Sequence, residues 1–204
     1  MTPRLSKAVL TSHITVSVGW FGAVAVFIVL AVAGLTAQEN QLARSAYVAM
    51  ELSAWYVIVP FCIASLLTGV IQATGTKWGV FKFYWIVVKL FLTVALTILL
   101  LLHMQPIEYL AGVAADANFS NANNSGRVIN LIAKAGAALT ALLFITTVSV
   151  YKPWGKINML PYAGTQNGKV QLGKRWSSYA LFGLIVLIVI FIITHLLGGG
   201  MPKH

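Results

Sequence analysis

Charged residues are scarce in this chain of 204 amino acids, and acidic residues are scarcer still. Lys, Arg, Asp and Glu make up only 9% of the sequence, and just four of these residues are acidic. Soluble domains contain about 25% charged residues, so this composition excludes a soluble globular protein. The 59% hydrophobic content and a mean hydropathy of +0.85 indicate an integral membrane protein instead.

Cysteine is almost absent. The single cysteine, Cys62, lies in an apolar stretch, and its isolation excludes an intrachain disulfide. We interpret Cys62 as a small buried residue. The formal net charge of +10 does not predict a nucleic-acid partner, because in a membrane protein the side on which basic residues lie matters more than their sum. No internal repeat is evident, so a transporter built from repeats is not predicted either.

Long apolar runs, in contrast, are abundant. Five of them reach the length of about 20 residues that a transmembrane helix needs. They cover residues 8–36, 46–73, 79–102, 128–151 and 176–197. The sequence therefore predicts an all-α fold in which one domain, residues 1–204, crosses the lipid bilayer five times as a helical bundle.

The distribution of basic residues gives this bundle an orientation. If the N-terminus is cytoplasmic, nine of the 14 Lys and Arg residues fall on the inner side and three on the outer side. The remaining two, Lys89 and Lys134, fall within the membrane. The positive-inside rule then predicts a cytoplasmic N-terminus and a C-terminus outside.

Two of the connecting loops are long. The outer loop, residues 104–127, is predicted to begin with a short surface helix from Pro106 to Ala117 and to end in an Asn-rich turn. The inner loop, residues 152–175, carries five basic residues. This composition favours contact with anionic lipid headgroups.

Lys89 stands out in the third predicted helix, because it lies near the middle of an apolar run. A charged amine at that depth costs roughly 3 kcal/mol on insertion scales, so it needs a partner, a ligand or the loss of its proton. Lys82, Lys89 and His103 recur at multiples of seven residues, with Thr93 one turn after Lys89. They therefore lie along one helix face, and Lys89 is a candidate functional residue.

The first helix has a similar polar face. His13, Ser17 and Trp20 lie along it, because seven residues make nearly two helical turns. Gly19 and Gly22 flank this face. Small residues allow another helix or a flat ligand to approach closely, so we expect a shallow groove here.

A second group of polar residues lies near the outer ends of the predicted helices: Glu51, His103, Lys134 and His195. These side chains could therefore meet. One interpretation is structural, with an ion pair between Glu51 and Lys134 beside two interfacial histidines. The other interpretation is a ligand site.

Imidazole holds haem iron in helical bundles, because a neutral ring nitrogen donates to the metal. Two layers of the predicted bundle could bind haem b in this way. In the inner layer His13 is the first-choice ligand, with Lys89 about 7 Å deeper in the membrane. In the outer layer His103 and His195 form an alternative pair of ligands, with Lys134, Arg44 or Arg127 near the haem propionates.

Two segments carry a family resemblance: residues 13–22, which read HITVSVGWFG, and residues 84–103, where Lys89 precedes a leucine run that ends at His103. They resemble the first and third helices of the HemJ-type membrane proteins, the oxygen-independent protoporphyrinogen oxidases, and of the related CopD-like copper-resistance proteins. The resemblance implies that His13 ligates haem and that Lys89 is functionally required. The whole chain also looks like small bacterial integral membrane proteins, which implies the bacterial inner membrane.

The leading hypothesis is a haem-binding membrane protein with a role in electron transfer, redox sensing or haem handling. If the protein is an enzyme, this hypothesis predicts an oxidoreductase of the protoporphyrinogen-oxidase type. A second hypothesis is a small cation or copper permease, since Cu(I) favours thioether and imidazole donors, and Met50 and Met104 lie near the outer histidines. A third is a structural or assembly subunit without enzymatic activity. Glycine-lined helix faces are compatible with a homo-oligomer in each case.

Overall fold

The computed structural model describes residues 1–75, 83–116 and 119–151. Within these residues all the regular structure is helical, and no strand is present. The main helices are α1 (Pro3–Thr36), α2 (Asn40–Ser53), α3 (Val59–Gly75), α4 (Tyr84–Ala115) and α5 (Ser125–Tyr151). The fifth predicted span, the basic inner loop, His195 and Lys82 lie outside the described residues.

Four helical stretches are long and apolar enough to cross a bilayer: Pro3–Thr36, Asn40–Gly75, Tyr84–Ala115 and Ala122–Tyr151. Many of their large apolar side chains are exposed, such as Val18 at 64% and Val29 at 66%, as contact with lipid requires. The first four predicted spans are thus confirmed as long apolar helices. Together they support a multi-pass membrane protein.

The second of these stretches is not a uniform α-helix. α2 continues into α3 through one π turn, Ala54–Ile58. Pro60 lies just beyond this turn. A proline within a helix offers no N–H and its ring clashes with the preceding turn, and a locally wider turn relieves both problems. Ala54 and Ile58 are buried, whereas the three residues between them are exposed, so only one side of the widened turn faces the interior of the bundle.

α4 is longer than the sequence pattern predicts. A loop is expected from residue 104, with a separate surface helix after it, but α4 runs through Pro106 to Ala115. The reason lies in Ile107, Leu110 and Ala114, which recur at helical spacing and are no more than 4% exposed. Their burial continues the apolar stripe of the helix beyond the predicted end of the span.

α1 packs against α2, α3 and α5. Near the end of α1, Gly34 lies so close to the Tyr47 ring on α2 that a Cβ at residue 34 would overlap the ring. The buried Tyr47 hydroxyl donates to Oδ1 of Asn121 at 2.7 Å, and Nδ2 of Asn121 donates to the Gly34 carbonyl at 2.9 Å. This closed set of contacts ties α1, α2 and the segment before α5 together.

Candidate functional site

The polar face of α1 is turned towards α3. Nδ1 of His13 lies 3.0 Å from Oγ1 of Thr68, and the hydroxyl oxygens of Ser17 and Ser65 are 2.8 Å apart. Polar side chains in apolar surroundings need such partners. We call these four residues the inner polar layer.

The hydrogen bonds of Thr68 favour one tautomer of His13. The Thr68 hydroxyl donates its single proton to the Ala64 carbonyl at 2.6 Å, because a carbonyl oxygen can only accept. Oγ1 is then the acceptor for the imidazole, and Nδ1 of His13 carries the ring proton. In the neutral ring the lone pair therefore lies on Nε2, the nitrogen that can ligate a metal.

Two glycines set the distance between α1 and α3. A Cβ at residue 69 would lie 3.2 Å from Cε1 of His13, and a Cβ at residue 19 would lie 2.8 Å from the Phe61 ring. At Gly22, in contrast, no atom of the described residues lies within 4 Å of the position that a Cβ would take. The groove expected at Gly19 is thus filled by Phe61.

Lys89 reaches from α4 to α5. Its Nζ donates to Oγ of Ser149 at 2.7 Å and lies 5.6 Å from the centre of the Trp85 ring, within the range of a cation–π contact. Lys89 also interacts electrostatically with the His13 imidazole. The contacts with Ser149 and Trp85 offset part of the cost of placing an amine inside the bundle.

The threonines that follow Lys89 bond to their own helix. Thr93 donates to the Lys89 carbonyl, and Thr97 donates to the Thr93 carbonyl, each at 2.8 Å. Oγ1 of Thr97 also lies 3.2 Å from the Cys62 sulfur. The thiol is fully buried, which confirms the interpretation of Cys62 as a small core residue.

A cavity of about 90 Å³ lies further along the bundle, between α1, the π turn, α4 and α5. We call it the His103 cavity. Most of its lining is apolar, with side chains such as Phe27 and Leu99. Among the described lining residues, three carry polar groups: Trp20, His103 and Lys134. The cavity is partly open.

The tautomer of His103 is also fixed by its neighbour. Nδ1 is hydrogen-bonded to the Leu99 carbonyl one turn earlier. Since a carbonyl only accepts, Nδ1 carries the proton and Nε2 is the acceptor of the neutral ring. Lys134 on α5 interacts electrostatically with this imidazole.

The structure brings some of the predicted site residues together and separates others. His13 and Lys89 interact electrostatically, and His103 and Lys134 share one cavity. Trp20 lines that cavity. The polar face of α1 therefore contributes His13 and Ser17 to the inner polar layer and Trp20 to the His103 cavity. Among the described residues no ion pair joins Lys134 to Glu51. His195, the predicted partner of His103, lies outside the described residues.

Sequence reasoning missed the partners on α3 and α5. Thr68 and Ser65 hold the polar face of α1, and Ser149 holds Lys89. In the sequence these three residues are recognisable only as hydroxyl side chains within apolar runs. Such a residue usually bonds to the carbonyl one turn earlier in its own helix, so its partner on another helix could not be read from spacing.

Chemically, the described residues offer single imidazole donors. No group of three or more His, Cys, Asp or Glu residues that could hold a metal ion occurs in residues 1–75, 83–116 and 119–151. An axial haem ligand needs no such group, because the porphyrin supplies the other four donors.

Comparison of the chain with protein-family models, with curated proteins and with solved structures finds no match. The likeness to the HemJ-type proteins thus stays a prediction from two short motifs.

Proposed function

We propose that this chain is a multi-pass protein of the bacterial inner membrane that binds haem b, with His13 as an axial ligand. Five spans, a cytoplasmic N-terminus and an outside C-terminus belong to the proposal. Its role is electron transfer, redox sensing or haem handling. Contact of the basic inner loop with anionic lipids and assembly with further copies are compatible with it.

The single observation that carries the proposal is the hydrogen bond at Nδ1 of His13. Histidines that ligate metals almost always donate their other ring N–H to a protein acceptor, which fixes the ring and raises the basicity of the ligating nitrogen. Thr68 supplies this acceptor, and Gly69 lets α3 approach the ring. His13 is only partly buried, so a macrocycle can approach it from the edge of the described bundle.

Lys89 supplies a cation on the same layer. Its ammonium is held by Ser149 and Trp85 and interacts with the His13 imidazole. An ammonium in this position would favour the ferrous state of a bound haem, which carries less positive charge than the ferric state, and could pair with a propionate within its reach. Haem itself supplies the one-electron chemistry.

The size of the His103 cavity favours His13 over His103 as the ligand. Pockets that enclose molecules of drug size or larger measure about 300–1,000 Å³, whereas the His103 cavity has a volume of about 90 Å³. The described cavity is therefore too small to enclose a porphyrin. The pair of His103 and His195 stays the alternative because His195 lies outside the described residues.

The visible spectrum of the detergent-purified full chain tests the proposal. We expect a Soret band that shifts on reduction with dithionite. The band should be lost in His13→Ala and kept in His103→Ala, which is the matched control because both variants remove one membrane imidazole. A protein that stays colourless after the addition of haem contradicts the proposal.

A further inference from the structure

Lys134 brings a positive charge to the lining of the His103 cavity. Its ammonium interacts electrostatically with the His103 imidazole, which lines the same cavity. No Asp or Glu occurs among the described lining residues, and none of the residues that the structure describes gives Lys134 an ion pair or a hydrogen bond. A charged amine in a helix long and apolar enough to cross a membrane needs a partner. Within the described bundle the protein itself does not supply one.

Trp20 adds a hydrogen-bond donor to the same lining. Its side chain is only 4% exposed, and its indole N–H has no hydrogen-bond partner among the described residues. Every fully enclosed side-chain nitrogen or oxygen of these residues does have a partner, so the Trp20 N–H keeps some accessible surface. Because Trp20 is otherwise enclosed and lines the cavity, this surface lies at the cavity.

These two groups require an acceptor that also carries negative charge. An ammonium and an indole N–H can only donate. A neutral water molecule would accept from both, but it would leave the charge of Lys134 uncompensated. Most of the other described walls are apolar, with side chains such as Phe27 and Leu99. A small anion therefore satisfies both donors and the charge at once.

The volume of the cavity, about 90 Å³, limits the size of this anion. A water molecule occupies about 30 Å³ in the liquid, and a chloride ion is only slightly larger. The cavity therefore has room for one halide ion together with water, which completes the coordination of the ion where the protein offers no donor. A large organic anion such as gluconate is too big to enter.

We propose that the His103 cavity binds a monovalent anion of the size of chloride, held between the Lys134 ammonium and the Trp20 indole N–H. Lys134 supplies the attraction between charges, and Trp20 supplies a directed hydrogen bond. The bound anion offsets the cost of the Lys134 charge, so it stabilises the folded bundle. The proposal concerns binding and does not depend on haem at His13.

NMR line broadening of chloride tests this inference on the full chain in nanodiscs of phosphatidylcholine, whose headgroups carry no net charge. Gluconate replaces chloride at constant ionic strength, so that chloride is titrated without a change in screening. We expect a saturable broadening that bromide reverses by competition. The midpoint of thermal unfolding should rise with chloride, because an anion that binds only the folded state stabilises it.

Two variants separate the contributions of the donors. Lys134→Met should remove both the saturable broadening and the stabilisation by chloride. Trp20→Phe keeps an aromatic ring and removes the N–H, so it should weaken chloride binding by roughly tenfold, the loss of one hydrogen bond to a charged group. Lys7→Met is the matched control, because it removes one positive charge from an exposed residue of α1 and should leave chloride binding unchanged.

Circular dichroism verifies the folding of each variant, and if one of the two cavity variants fails to fold, the other decides the outcome. Broadening of equal size in the wild type and in Lys134→Met overturns the proposal. So does broadening that does not saturate or that bromide leaves unchanged. None of these results changes the Soret band expected from His13, so the two proposals fail independently.

Discussion

Nδ1 of His13 lies 3.0 Å from Oγ1 of Thr68, and the Thr68 hydroxyl is itself committed to the Ala64 carbonyl at 2.6 Å. The tautomer of His13 on α1 therefore depends on its hydrogen bond to Thr68 on α3. With Nδ1 bonded to Thr68, the His13 ring is held in one orientation and its Nε2 lone pair is available to a metal. It also makes Thr68 the residue whose removal reports on His13 without touching the imidazole.

Thr68→Val removes the acceptor and keeps the shape of the side chain. We expect haem affinity to fall by roughly 10- to 100-fold, the range for lost partners of metal-ligating residues. Haem titration followed at the Soret band measures this change. Thr74→Val is the control, because Thr74 is also on α3 but bonds only to carbonyls of its own helix. Equal affinities of the two variants would show that Thr68 does not position His13.

Gly69→Ala tests the close approach of α3 to His13. The new methyl group would lie 3.2 Å from Cε1 of His13, so the ring must shift by a few tenths of an ångström. We expect a displaced Soret maximum and weaker haem binding. Gly22→Ala should leave both unchanged, because none of the residues that the structure describes lies within 4 Å of the added methyl group. A normal spectrum in Gly69→Ala would mean that the approach of α3 is immaterial to the site.

Lys89→Met removes the cation beside the inner polar layer. Because a nearby positive charge favours the ferrous state, the midpoint potential should fall by an amount on the order of tens of millivolts. Redox titration in the visible range measures it. Ser149→Ala keeps the ammonium and removes only its acceptor, so its effect should be smaller. An unchanged potential in Lys89→Met assigns Lys89 a purely structural role.

Gly34→Ala tests the packing of α1 on α2. A methyl group at residue 34 overlaps the Tyr47 ring, and overpacking of this kind typically costs about 1–3 kcal/mol of unfolding free energy. Thermal unfolding in detergent should show a lower midpoint. Gly112→Ala is the control, since in the described part of the chain nothing lies within 4 Å of its added methyl group and helix propensity favours alanine. Equal midpoints would rule out a structural role for the contact between Gly34 and Tyr47.

The helical fold could be predicted from the sequence because long apolar runs leave few alternatives in a bilayer. Its details could not. Pro106 suggested a loop, but the burial of Ile107 and Leu110 decides that α4 continues. Contacts within one helix follow from spacing, whereas the pairing of Lys89 with Ser149, which is 60 residues away, depends on how α4 and α5 meet.

The candidate site, like the fold, could be predicted from the sequence only in part. The sequence singled out His13, Lys89, His103 and Lys134 as polar residues in apolar surroundings, and the structure places them in two separate layers. Trp20 was grouped with His13 by helical spacing, yet it lines the His103 cavity. The cavity itself left no signal in the sequence, because its apolar walls come from four spans and resemble ordinary core residues.

The most direct test of the central claim is the dithionite-reduced minus oxidised spectrum of the purified full chain, recorded for wild type, His13→Ala and His103→Ala at equal protein concentration. We predict a b-type haem signal in wild type and in His103→Ala, and its loss in His13→Ala. A signal of full size in His13→Ala, with correct folding shown by circular dichroism, contradicts the assignment of His13 as the axial ligand.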